Sequence, residues 1–145
     1  MRSILISTDG SPGADAAVAD GLELASQTGA KVLFVNVRPT ISLLGAPYEQ
    51  EKLREQMAIA REAVDGATAR AAGLGVEAEA EILEGDPAEG ILALARSRDV
   101  DLVVVGSRGR GAVSAALLGS VSHAVVNGAD RPVLVVRKPK GTSES

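Results

Sequence analysis

Asp101-Leu-Val-Val-Val-Gly-Ser-Arg-Gly-Arg-Gly-Ala-Val-Ser-Ala-Ala-Leu-Leu-Gly-Ser-Val-Ser-His-Ala-Val-Val126 is the stretch on which the reading of this chain turns. Leu102 to Val105 is a short unbroken run of branched apolar residues. Such a run fits a strand covered on both faces, as in a parallel sheet. Gly106, Gly109 and Gly111 follow it, with Arg108 and Arg110 between them. Glycine allows positive φ and close approach of main-chain N–H groups, so a turn of this kind can form a nest around an anion. Gly119 and Ser120 then open a segment that reads as helix. The first N–H groups of a helix lack internal partners and carry the positive end of its dipole, which suits phosphate. The whole reads as strand, phosphate-binding loop and helix. A glycine-rich turn with solvated arginines is the competing reading, and the stretch alone leaves both open.

Two familiar phosphate motifs are absent. Gly106 to Gly111 has the spacing of a P-loop, but Ala112 and Val113 stand where Lys and Ser/Thr are needed. Gly109-Arg110-Gly111 continues to Ser114 and follows a late strand, so the dinucleotide fingerprint fails as well.

Outward from this stretch, strands and helices alternate. Ser3 to Thr8 reads as a first strand, ending in Asp9-Gly10-Ser11-Pro12-Gly13. Ser11 and Pro12 suit the N-cap and first position of a helix. Ala16, Ala17, Ala19, Leu22, Leu24 and Ala25 form its apolar side, and it ends near Gly29. Lys31 to Val37 is a second strand, and Arg38 to Pro47 a longer connection. Tyr48 to Ala72 has helical spacing, with Leu53, Met57, Ala60, Val64 and Ala67 on one stripe. Val76 to Leu83 alternates apolar residues with Glu77, Glu79 and Glu81, as an edge strand with one solvated face does. Asp86-Pro87 starts another helix, buried through Ile91, Leu92, Leu94 and Ala95. After the glycine stretch, a last helix ends near Gly128 and Val133 to Val136 is a fifth strand. Alternation of this kind implies an α/β fold: a parallel sheet with right-handed crossovers and helices on both faces. The ligand site of such a sheet lies beyond the carboxyl ends of its strands.

Composition narrows the chemistry. The 145 residues suit one domain. No apolar run is long enough to span a bilayer, and Asp9 and Gly10 interrupt any secretory-signal layout. A membrane partner is therefore not expected. There is no cysteine, which removes disulfides, thiolate metal sites and cysteine nucleophiles. A formal charge of −4 argues against a general nucleic-acid binder, and Phe34 and Tyr48 are the only aromatic residues for base stacking.

Gly106-x-x-Gly109, nine residues, then Gly119-Ser120 resembles the nucleotide-binding motif of the universal stress protein family, in its ATP-binding branch. The likeness extends to Ile4-Leu5-Ile6-Ser7-Thr8-Asp9-Gly10-Ser11 as first strand and loop, and to Arg131-Pro132-Val133-Leu134-Val135-Val136 as last strand. The resemblance implies a five-stranded parallel sheet in the order 3-2-1-4-5, a Rossmann-like three-layer sandwich of the adenine-nucleotide alpha-hydrolase type. It implies one domain over residues 1–137; residues 138–145, polar in sequence, read as a disordered tail. It also implies a cytoplasmic protein of the stress response, a homodimer through Val133–Val136, and ATP as ligand, alone or with Mg2+.

The resemblance assigns the site residue by residue. Thr8, at the end of the first strand, and Asp9, in the loop after it, belong to the site, with Asp9 at the ribose; spacing alone makes Asp9 equally a turn former or helix cap. Val37 falls where the second strand offers main-chain groups to adenine. Gly106, Ser107, Arg108, Gly109, Gly119, Ser120, Val121 and Ser122 form the cradle for ribose and phosphates. Arg108 and Arg110 occupy variable slots, where they could attract phosphate, and solvated surface arginine is the preferred reading of each. His123, the sole histidine, reads as a surface helical residue, and the glutamates as a solvated strand face. No general base, catalytic lysine or metal carboxylate pair is readable near the loop, so a nucleotide-dependent regulator is preferred to a slow ATPase or nucleotidyl-transfer enzyme. A dimeric scaffold that binds AMP or cyclic AMP is the other alternative.

Overall fold

The computed structural model describes residues 1–40, 47–108 and 118–137. In chain order the elements are β1 (Ser3–Ser7), α1 (Pro12–Thr28), β2 (Lys31–Arg38), α2 (Pro47–Gly73), β3 (Ala78–Glu84), α3 (Pro87–Arg98), β4 (Leu102–Gly106), α4 (Ser120–Gly128) and β5 (Val133–Val136). Every strand pairing is parallel and the sheet order is β3-β2-β1-β4-β5, as the resemblance implied. Residues 138–145, expected to form a tail, and residues 41–46 of the second connection lie outside the described residues.

Strand side chains alternate between the two faces of the sheet, which divides the interior into two layers. On one face Ile4, Ile6, Phe34 and Val104 pack with Val18 and Leu22 of α1 and with Ala67 and Ala71 of α2. On the other, Leu5, Val35, Val103 and Val105 pack with Ile91 and Leu94 of α3 and Val125 of α4. Phe34, Ile4, Leu5 and Ile6 are wholly buried. Burial of side chains this size contributes about 1.5–3 kcal/mol each relative to exposure. The apolar run of β4 is needed because helices cover both of its faces.

Both readable helix starts are capped as the sequence indicates. Ser11 Oγ accepts from the Ala14 N–H at 3.2 Å, and an Asp86 carboxylate oxygen accepts from the Glu89 N–H at 2.9 Å. Pro12 and Pro87 follow the two caps in the first helical turn. Asp101 pins the start of β1: its Oδ2 accepts from the Arg2 and Ser3 N–H groups at 2.6 and 3.0 Å. The Arg2 amide, then that of Ser3, holds the Asp101 carboxyl below the ordinary carboxylate range.

Three expectations need correction. Ala19 is exposed, because the buried face of α1 runs through Ala14, Ala17, Val18, Gly21, Leu22 and Ala25. β3 begins at Ala78, later than Val76, and Ala80 is exposed although it lies on the apolar side of the alternation. Ala80 lines a cavity between β3 and α2, with Ile82, Met57 and Val64, so the helix does not close over it. The glutamate face of β3 is tied in part to α3: one Arg98 nitrogen meets Glu79 at 3.2 Å and Glu81 at 2.7 Å.

Candidate functional site: the crevice above the central strand

β1 is the central strand, and the winding reverses there: α1 and α2 lie on one face, α3 and α4 on the other. Beyond the carboxyl end of β1 the chain therefore opens a crevice, flanked by the ends of β2 and β4.

The β4 flank is built by glycines. A Cβ placed on Gly106 would stand 2.7 Å from the Gly13 carbonyl oxygen, and one on Gly13 would stand 2.2 Å from that of Arg108. The first turn of α1 thus lies directly on the exit of β4, main chain against main chain. Gly106 owes its place to this packing.

Beyond Gly106, Ser107 is buried and its N–H donates to the Val136 carbonyl at 2.8 Å. Its own carbonyl accepts the Gly119 N–H at 2.7 Å and the Ser122 hydroxyl at 2.8 Å. The Ser122 oxygen also lies 3.0 Å from the Gly119 carbonyl. One carbonyl at the end of β4 thus fixes the start of α4. The N-cap of α4 is Gly119, with φ −68° and ψ 163° and no side-chain cap. Ser120, Val121 and Ser122 supply the first amides, which have no acceptor inside the helix. No side chain at the cap position competes for them.

Of the residues that the sequence singled out, Ser107, Gly119 and Ser122 are directly bonded and Gly106 lies beside them. The Gly119 N–H is used internally, as is the Ser122 hydroxyl, so both residues shape the cradle rather than offering those groups to a ligand. Ser120 is exposed and Val121 half-buried at the helix mouth. Arg108 is half-buried, while Gly109, Arg110 and the rest of the stretch to Leu117 lie outside the described residues. Asp9 Oδ1 accepts from the Ser11 N–H at 2.9 Å, the geometry of a turn former. His123 is exposed, with its Nε2 3.4 Å from Asn127 Nδ2.

On the β2 flank the orientation of Val37 follows from alternation. Successive residues of an inner strand direct their main-chain polar groups to opposite neighbours. Val35 bonds toward β1, its carbonyl accepting the Thr8 N–H at 2.9 Å, and Arg38 bonds toward β3, accepting the Gly85 N–H at 2.9 Å. Val37 has the parity of Val35, so its N–H and C=O point to the β1 side, where β1 has already ended. Its side chain packs against α3, 3.0 Å from the position of a Cβ on Gly90.

Thr8 is placed elsewhere. It is 2% exposed and lines a cavity of about 440 Å³ between α1 and α2, with Gly10, Asp15, Val18, Glu62 and Arg70. That cavity lies on the α1/α2 face of the sheet. The sequence reading missed Gly13 and Asn36. A glycine just inside a capped helix, and one amide in the apolar run Val32–Val37, were the signals for them.

An all-parallel sheet with a helix N-terminus clipped to the strand beside its switch point defines a doubly wound α/β protein with a crevice beyond the carboxyl ends of its strands. The profile described as "Universal stress protein family" matches residues 1–137. A universal stress protein encoded in the QAH/OAS sulfhydrylase 3′ region of Thermus aquaticus is 40% identical over 140 residues, covering 94% of this chain and 99% of that protein. This chain belongs to the universal stress protein family. Among solved structures, protein MJ0577 superposes with a TM-score of 0.84 at 26% identity, covering 95% of this chain and 96% of that one. A universal stress protein in complex with cAMP superposes with a TM-score of 0.69 at 27% identity, covering 95% and 98%.

Proposed function

We propose that the chain binds ATP in the crevice above β1 and acts as a nucleotide-dependent regulator in a cytoplasmic stress response. The adenine lies against the Val37 main chain and the ribose at Asp9. The phosphates rest on the main chain that leaves β4 at Gly106 and Ser107 and on the amides of Ser120, Val121 and Ser122. The observation that carries this reading is the Ser107 carbonyl, which brings the uncapped N-terminus of α4 to the exit of β4. Backbone donors at such an N-terminus favour a polyanion. Mg2+ enters with the phosphates: among the described residues no group of three or more His, Cys, Asp or Glu is placed to hold a metal ion.

Saturating ATP is expected to raise the melting temperature. At a hundredfold excess over Kd the linkage amounts to about 2.7 kcal/mol, or roughly 5–10 °C for a domain of this size. Gly119→Val, at a φ any residue adopts, is expected to keep the fold and abolish the rise. No shift at millimolar ATP with magnesium would sink the reading. Cyclic AMP is a second reading, favoured by the cAMP-bound relative; calorimetric titration with ATP, AMP and cyclic AMP decides between them.

The edge strand β5 supports a homodimer. It pairs only with β4, and Leu134 is 38% exposed. A twofold contact would bury this apolar edge, which carries no charge of its own. Sedimentation equilibrium is expected to give a dimer that Leu134→Lys shifts toward monomer; a wild-type monomer at micromolar concentration would refute the assignment.

A further inference from the structure

β2 contains one polar side chain where every other inward residue is apolar. Asn36 is 6% exposed, and a buried amide is costly unless its polar ends find partners. Its Nδ2 donates to the Thr8 carbonyl at 2.9 Å. A carbonyl only accepts, so the NH2 end of the amide must be the end that faces it.

Thr8 is the residue at which β1 leaves the sheet. In a continuing parallel ladder its N–H would donate to the Val35 carbonyl and its own carbonyl would accept the Val37 N–H. The first bond is made, at 2.9 Å. The second place is held by the Asn36 side chain. The paired register of β1 and β2 ends at Ser7 and Val35, short of Val37.

We propose that Asn36 is a positioning residue: it replaces the Val37 N–H at the Thr8 carbonyl and so keeps the Val37 donor and acceptor open as a recognition edge for adenine. This rests on the nucleotide reading above and adds the residue that sets base selectivity. A donor and an acceptor side by side complement an amino group next to a ring nitrogen, which adenine presents. Guanine in the same pose presents a carbonyl next to a ring N–H, and like would face like. A site built to pair with one such edge discriminates strongly against the other.

The test uses the full chain. In wild-type protein without nucleotide, the Val37 amide is expected to exchange rapidly with solvent deuterium by NMR. Slow exchange there overturns the inference before any variant is made. In Asn36→Val the Val37 N–H becomes the donor available to the Thr8 carbonyl, and its exchange is expected to slow about tenfold. ATP affinity should then fall about tenfold, with loss of the preference for ATP over GTP. Asn36→Ser, smaller and still polar, repeats the measurement should the valine variant not fold. Wild type that binds neither nucleotide refutes the nucleotide reading. Wild type that binds ATP, with Asn36→Val binding equally well and equally selectively, refutes the role of Asn36 alone.

Discussion

Gly13→Val is expected to lower stability by about 3 kcal/mol or more, the upper end for overpacking, because the obstacle is main chain. A Cβ there would stand 2.2 Å from the Arg108 carbonyl oxygen and 3.3 Å from its carbon. A flexible side chain could rotate away, but this carbonyl belongs to the exit of β4. The mirror contact, Gly106 against Gly13, blocks retreat from the other side. α1 must therefore lift from β4 and uncover Ile6 and Val104 beneath it. Thermal denaturation should show a fall of roughly 6–12 °C. Gly66→Ala, in α2, is the control: a Cβ there meets nothing within 4 Å, so it should raise stability by about 0.5–1 kcal/mol. A drop of under about 2 °C for Gly13→Val would mean that the two main chains slide apart freely.

The second large effect concerns ligand binding. Ser122 is 2% exposed and its hydroxyl holds the Ser107 carbonyl. Ser122→Val removes the donor and adds one methyl group in a buried position, at a cost of about 1–2 kcal/mol for the lost bond, with overpacking adding to it. Of the two hydrogen bonds that the Ser107 carbonyl accepts among the described residues, the one from the Gly119 N–H then remains. ATP affinity is expected to fall at least about tenfold, since amides that wander lose their convergence. Ser120→Ala provides the contrast: its side chain is exposed and outside the brace, so it should weaken ATP without lowering the melting temperature. Calorimetry and thermal denaturation on both variants separate the roles. Unchanged stability in Ser122→Val would contradict the brace.

Local signals in the sequence account for most of the fold. The Ser11-Pro12 and Asp86-Pro87 caps, the doubly covered run at Leu102–Val105 and the β–α alternation are all statements about neighbours in the chain, and each is realised. Strand order was not of this kind; it came from the family resemblance. The failures share a cause. Ala19 and Ala80 are small enough to suit either environment, and what covers them depends on where a distant helix lies. By sequence Thr8 stands at the end of the first strand; there its side chain continues the alternation of Ile4 and Ile6 and enters the α1/α2 cavity, which only the placement of α2 reveals. Gly13 and Asn36 could be noticed as oddities. Their partners, the Arg108 carbonyl and the Thr8 carbonyl, are identified only once the chain has folded.

β1 is the first strand made and the innermost in the sheet. Ile4 pairs with Val32 on one side and with Leu102 on the other. During synthesis, a chain emerging from the ribosome can cover one margin of β1 early, while the other stays bare until β4 appears. For much of translation the nascent protein therefore presents an apolar strand with an open edge, the kind of template that chaperones shield and aggregates extend.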